Sequence, residues 1–369
     1  MTASQLGFEA GCKTTAMGIM PHADVEKALE LALSLDIPFW PQLPNVSFYE
    51  DMYAQTSENF PGIAIDLEAR SVTFDTARFE ADLAGYSERM TDPRAFSLGT
   101  RYSAVYHRFL ERHLGRYAAI RGQLTGPVSF GFKIVDQAER PIIYNDGVRD
   151  LLFDFVQRRA NAQYQELRRK NPNAFVWIDE PGLGWVFSGL SGYGDIQARH
   201  DYKGFFAGLE GPRGLHLCAN VNLPYLLGLG PDILSFDAYQ IGVMPKAYSA
   251  AIADFLGAGG VISWGIVPTD STNLGRETHD SLARLLQGYW TIVSQNSGIA
   301  VEHIARQALI APARCCLKNI GQVGGVDDQV CLPSPNGTSI EEQLVERAFQ
   351  WIGGVSGVLK QHYLPASYG

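Results

Sequence analysis

The sequence predicts an α/β protein built as a single (β/α)8 barrel, on three observations. Short apolar runs ending in Gly, Pro, Asp or His alternate with amphipathic helical stretches, and that alternation means βαβ units with parallel strands. About eight such units fit a chain of 369 residues. The doubly wound alternative calls for a glycine-rich dinucleotide turn, and Gly182-Leu183-Gly184 and Gly192-Tyr193-Gly194 lack both the third glycine and a preceding strand. No Pro/Gly/Ser-rich linker divides the chain, so one domain over 1–369 is expected, with extra segments at both ends of the barrel.

In chain order, Ala119 to Thr125 reads as a strand stopped by Gly126-Pro127, and Asn145 to Lys170 as a long helix. Ala174 to Ile178 is a strand that ends in Asp179-Glu180-Pro181. Further strands are read at Leu215 to Cys218, Ile233 to Phe236 and Val261 to Trp264; helices are read at Lys246 to Leu256, Glu277 to Ser294 and Ser339 to Lys360. In a barrel the chemistry sits at the carboxyl ends of the strands, so the residues just after each apolar run are the ones to inspect.

With 46% hydrophobic and 11% aromatic residues the chain has ample material for a core. A formal net charge of −9 argues against a nucleic-acid groove. The uncharged stretch Leu215 to Pro231 contains His216, two Asn and Pro224, so no membrane span is expected. Five cysteines and no signal-like N-terminus fit a reducing cytoplasm better than a secreted scaffold.

His216 and Cys218 lie two apart at a strand end, so imidazole and thiol point to one side, an arrangement suited to zinc; taken alone, the pair also reads as core. Asp237 ends the next strand, as a third ligand or a cap of the following turn. In Cys315-Cys316 one thiol is a candidate ligand and its neighbour a packing thiol, whereas Cys12 and Cys331 have no convincing spacing. Asp179-Glu180 offers two carboxylates, for a substrate amine or for a solvated loop. His22 and His303 read as structural or loop histidines.

In this order, these pieces resemble the catalytic domain of cobalamin-independent methionine synthase. That domain belongs to a wider group with uroporphyrinogen decarboxylase and the coenzyme M methyltransferases. The resemblance is carried by Met17-Gly18-Ile19-Met20-Pro21-His22, Leu124-Thr125-Gly126-Pro127, Asp179-Glu180-Pro181, His216-Leu217-Cys218-Ala219-Asn220, Trp264-Gly265-Ile266-Val267-Pro268 and Cys315-Cys316-Leu317-Lys318. The chain is too short for the second, folate-binding barrel of the full-length synthases, and it is similar to the short core form. The resemblance implies zinc held by His216, Cys218 and Cys315, with Asp237 where the family places a Glu. It places Asp179 at the amine of homocysteine with Glu50 as a second acid, and Gly18 and Ile19 on the carboxylate loop. Trp264 or Tyr239 would shape an apolar wall. The implied reaction is methylation of a small thiol of the homocysteine type. The donor would be a methylcorrinoid, either methylcobalamin or a corrinoid protein. Ile19 departs from the family's Ile-Gly-Ser, which loosens the assignment of homocysteine. The alternatives are another thiol acceptor of the coenzyme M kind, or a zinc- or corrinoid-binding partner without turnover.

Overall fold

The computed structural model describes residues 6–188, 191–218, 222–315 and 339–364. Nine strands form: β1 (Lys13–Thr14), β2 (Ile63–Asp66), β3 (Ser71–Phe74), β4 (Ile120–Thr125), β5 (Ala174–Asp179), β6 (Arg213–Leu217), β7 (Ile233–Asp237), β8 (Val261–Val267) and β9 (Ala308–Pro312). β2 and β3 pair as a separate antiparallel hairpin. The other seven make one curled parallel sheet in the order β1-β9-β8-β7-β6-β5-β4, with helices between successive strands.

Among the described residues this sheet has seven regular strands, and no continuous ladder joins its two edges. Between the edge strands β1 and β4 lies the segment 37–42, joined to them by isolated contacts. The Ile37 amide donates to Thr14 O (3.0 Å) and the Arg121 amide to Pro38 O (3.0 Å), and single bridges link Phe39 to Arg121 and Ile19 to Gln42. The reason is visible in Ile37-Pro38-Phe39-Trp40-Pro41-Gln42: two prolines without N–H donors interrupt any continuous ladder there.

Alternation along each strand separates two apolar layers. Val176, Ile178, Leu215, Leu217, Leu234, Phe236, Ile262, Trp264 and Ile310 pack against the helices. Phe175, Trp177, Ile233, Val261, Leu309 and Ala311 form the inner layer. The same parity puts Arg121, Gln123, Thr125, Asp179, His216, Ser235, Asp237 and Ser263 on the inner face. The strand interior is thus apolar below and polar toward the carboxyl ends.

The expected helices are present as Asp146–Arg168, Lys246–Gly257, His279–Ser297 and Ile340–Tyr363. The last of these is tied to the N-terminal segment: Ser356 Oγ donates to Cys12 O (2.7 Å) and Lys360 Nζ meets Asp36 Oδ2 at 3.0 Å. Burial raises the Asp36 carboxyl, but the Thr14 amide and the Lys360 ammonium outweigh it and hold it below the ordinary carboxylate range. A lowered carboxyl stabilises the fold above its unfolded value and loses that contribution as pH falls through its folded value. Asp36→Asn is therefore expected to lower stability at pH 7 by about 0.5–1 kcal/mol, a small figure because the pair is partly exposed. The difference should shrink below about pH 4; equal urea midpoints for the two proteins at pH 7 would refute the clasp. No described helix is long and apolar enough to cross a membrane.

Candidate metal centre

Three of the expected ligands converge. His216 lies on the inner face of β6, Cys218 follows just beyond that strand, and Cys315 comes three residues after β9. Their ligand atoms all lie within 4.8 Å of one another. The His216 ring is buried and its Nδ1 contacts Ser235 Oγ at 3.0 Å. Nε2 is buried with no hydrogen-bond partner among the described residues, the state of a nitrogen left available for a metal. The hydrogen bond with Cys315, and then the His216 imidazole, hold the Cys218 thiol well below its ordinary value, against the opposing effect of burial. One imidazole and two thiols, one already biased to thiolate, form a donor set that fits zinc.

Asp179 ends β5 in register with His216. Burial pushes its carboxyl up to about 6, with His216 and Arg121 opposing the shift. Its carboxylate accepts no hydrogen bond among the described residues, so it is available to a cationic group. Neighbouring Glu180 is committed elsewhere: it accepts from Val128 N (2.9 Å), Ser129 N (2.7 Å), Ser129 Oγ (2.5 Å) and the Tyr202 hydroxyl.

Other expected site residues have different occupations. Asp237 is not among the converging ligands: its carboxylate, buried on the inner face, accepts from Arg314 Nε at 2.8 Å and from Gln240 N at 3.3 Å. The pairing anchors the residue before Cys315. Glu50 is also satisfied, accepting from Ser103 Oγ (2.7 Å), Gln55 Nε2 (2.9 Å) and Val105 N (3.2 Å) at the start of the helix Ala104–Leu110. It closes a buried network with these three donors.

Trp264 lies on the helix-facing side of β8, 5.6 Å from Phe236 and 6.2 Å from Trp290 between ring centroids. It is not part of an inner wall, because it shares parity with Ile262 rather than Ser263. Tyr239 donates to Glu277 at 3.1 Å. Gly18 and Ile19 lie on the segment joined to Gln42, and a Cβ at Gly18 would come within 2.6 Å of the Gln123 side chain. His22 is buried with both ring nitrogens unpartnered, and His303 is exposed. Cys316, Cys331, Asn220 and Lys318 lie outside the described residues.

Three further residues border the centre. Tyr53 has its hydroxyl pushed up by burial and by the negative charges of Asp51, Glu180, Cys218 and Cys315. Arg121 and Trp177 underlie His216 from within the sheet. Arg121 carried a sequence signal, being a charge inside the otherwise uncharged run Ile120–Thr125; Tyr53 carried none.

No family model and no curated protein matches the sequence. Among solved structures the chain is similar to a B12-independent methionine synthase from Shewanella sp. W3-18-1 in complex with selenomethionine. That likeness has 14% identity over 67% of this chain and 63% of that one, with a TM-score of 0.43. It is also similar to GH10 from Paenibacillus barcinonensis, at 13% identity over 58% of this chain and 55% of that one, with a TM-score of 0.29. The match spans less than two thirds of either of those chains. At such values neither likeness decides family or activity. The first is a B12-independent enzyme, and it lends no support to a corrinoid donor.

Proposed function

We propose that this chain is a zinc-dependent thiol S-methyltransferase acting on a small amino-acid thiol of the homocysteine class. In this reading the curled sheet is a (β/α)8 barrel whose remaining stave is the proline-interrupted segment 37–42. The observation that carries it is the convergence of a His216 ring nitrogen, Cys218 Sγ and Cys315 Sγ beside Asp179, a buried carboxylate that accepts no hydrogen bond among the described residues. Ligands drawn from separate strand ends describe a centre assembled by the fold, with a coordination position left for a substrate. A closed structural zinc clip would instead draw its ligands from one short stretch.

Bound zinc would lower the pKa of an incoming substrate thiol and hold it as a nucleophilic thiolate. The chain's own residues do the rest. Asp179 binds the ammonium of the substrate and so aims its sulfur; alignment is what a displacement at methyl requires. Arg314, paired with Asp237, fixes the backbone that bears Cys315. No general base is needed at the methyl carbon. An acceptor bearing a sulfonate in place of an amine would call for a cation where Asp179 stands. The methyl donor is proposed from the sequence resemblance alone, as a methylcorrinoid.

The test is metal content of the purified protein together with methionine formation from homocysteine and methylcobalamin. About one zinc per chain with methionine produced is the expected result. Zinc without methionine overturns the acceptor or the donor, and a metal-free protein that takes up no zinc overturns the centre.

A further inference from the structure

The inner layer beneath His216 contains a feature that ligation alone does not use. The Arg121 guanidinium sits 4.0 Å from the centroid of the Trp177 ring and 4.7 Å from that of Phe39. The other end of the sequence of rings is His216, whose imidazole is near-parallel to the indole, 5.6 Å between centroids and 14° between planes. Arg121 is fully buried and donates to Thr15 Oγ1 (3.1 Å), Gln123 Oε1 (3.0 Å) and Gly122 O (3.4 Å). No carboxylate lies within ion-pair distance of it among the described residues; Asp179 and Cys315 act on it at longer range.

A buried guanidinium with no carboxylate in hydrogen-bond contact, and only the longer-range charge of Asp179 and Cys315 to offset its burial, is an expensive way to fill space, since an apolar side chain of similar volume would pack there without desolvation cost. What the guanidinium does have is two aromatic faces, which attract it and which it in turn holds in place. The strand opposite makes room: Gly214 is in register with Trp177, and a Cβ there would stand 2.5 Å from the indole Cδ1. The contact to Ser235 fixes one point of the His216 ring and leaves its plane free to rock; an indole face against the imidazole removes that freedom.

We propose that Trp177, held by Arg121, is a positioning residue that fixes the plane of His216 so that Nε2 faces Cys218 and Cys315. The inference rests on the zinc reading above and adds to it residues that touch neither metal nor substrate. Partners behind a ligating histidine typically account for about 10–100-fold in metal affinity.

The experiment is Co2+ titration of the full-length, metal-free protein, read by the ligand-field and thiolate charge-transfer bands, with circular dichroism as a check on folding. Trp177→Leu is expected to weaken Co2+ binding by at least about 10-fold and to alter the ligand-field bands. Trp177→Phe, which keeps an aromatic face, should restore affinity to within about 3-fold of the original. Arg121→Met should move in the same direction as Trp177→Leu, and it supplies an independent reading if the leucine variant does not fold. Trp264→Leu is the control, an equally buried tryptophan on the other side of the sheet; it should leave affinity and bands unchanged. Unaltered Co2+ binding in Trp177→Leu and Arg121→Met overturns the proposal, as does an equal loss in Trp264→Leu. If the unsubstituted protein binds no Co2+, the zinc reading itself fails.

Discussion

Cys218→Ser is expected to lower zinc affinity by about 100-fold or more, beyond the effect of losing a partner behind a ligand, and to abolish thiol methylation. A serine hydroxyl is neutral at pH 7 and a poor donor to zinc, whereas Cys218 is already inclined to the thiolate by Cys315 and His216. The substitution leaves one imidazole and one thiolate, too few for a centre that must also keep a position for substrate. Cys12→Ser is the matched control. Cys12 is a buried thiol that donates to Ala305 O at 3.4 Å, and burial pushes it up to about 12, so it takes no part in the converging group. It should retain full zinc content. Zinc determination by inductively coupled plasma spectrometry on both variants, with a methionine assay alongside, checks the pair. Stoichiometric zinc and undiminished methylation in Cys218→Ser would sink the proposed function.

The parts of this site legible in the sequence were those set by strand parity. His216 and Cys218 share a side because they are two apart, and Asp179 follows an apolar run, so each could be put at a carboxyl end before any coordinates. Cys315 follows β9, Ala308–Pro312, a strand absent from the sequence reading. Two of the acids have partners that lie far away in sequence. Asp237 takes Arg314, 77 positions on, and Glu50 takes Ser103, 53 positions on. Neither partner is announced locally, so the sequence leaves open what an acid at a strand end or in a loop is paired with. Trp264 is a different case. Its strand is buried on both sides, and a run as uniformly apolar as Val261–Val267 does not reveal which face points inward.

Glu180→Ala is expected to destabilise the fold by about 3 kcal/mol or more, the largest stability effect anticipated for a residue that is not a ligand. Its carboxylate receives four donors, from the Val128 and Ser129 amides and the Ser129 and Tyr202 hydroxyls, and Ser129 Oγ in turn accepts from Gly182 N at 2.8 Å. The two amides open the helix Pro127–Lys133. Removing the acceptor leaves both of them buried and unpaired, at about 1–3 kcal/mol each, while the hydroxyls can rotate toward other partners. Gln at 180 keeps the shape but turns an amide donor toward one of these N–H groups, so about half the loss should remain. Gly126 explains why the site tolerates no neighbour: a Cβ there would stand 2.2 Å from Glu180 Oε1, so Gly126→Ala should reproduce part of the effect by displacing the carboxylate. Because Glu180 supplies no ligand atom, Co2+ affinity should stay within about 3-fold in the folded Gln variant, below the loss attributed to a positioning partner. Urea denaturation of Glu180→Ala, Glu180→Gln and Gly126→Ala decides the matter, and a Glu180→Ala midpoint equal to that of the unsubstituted protein would show that the network does not hold β4 to β5.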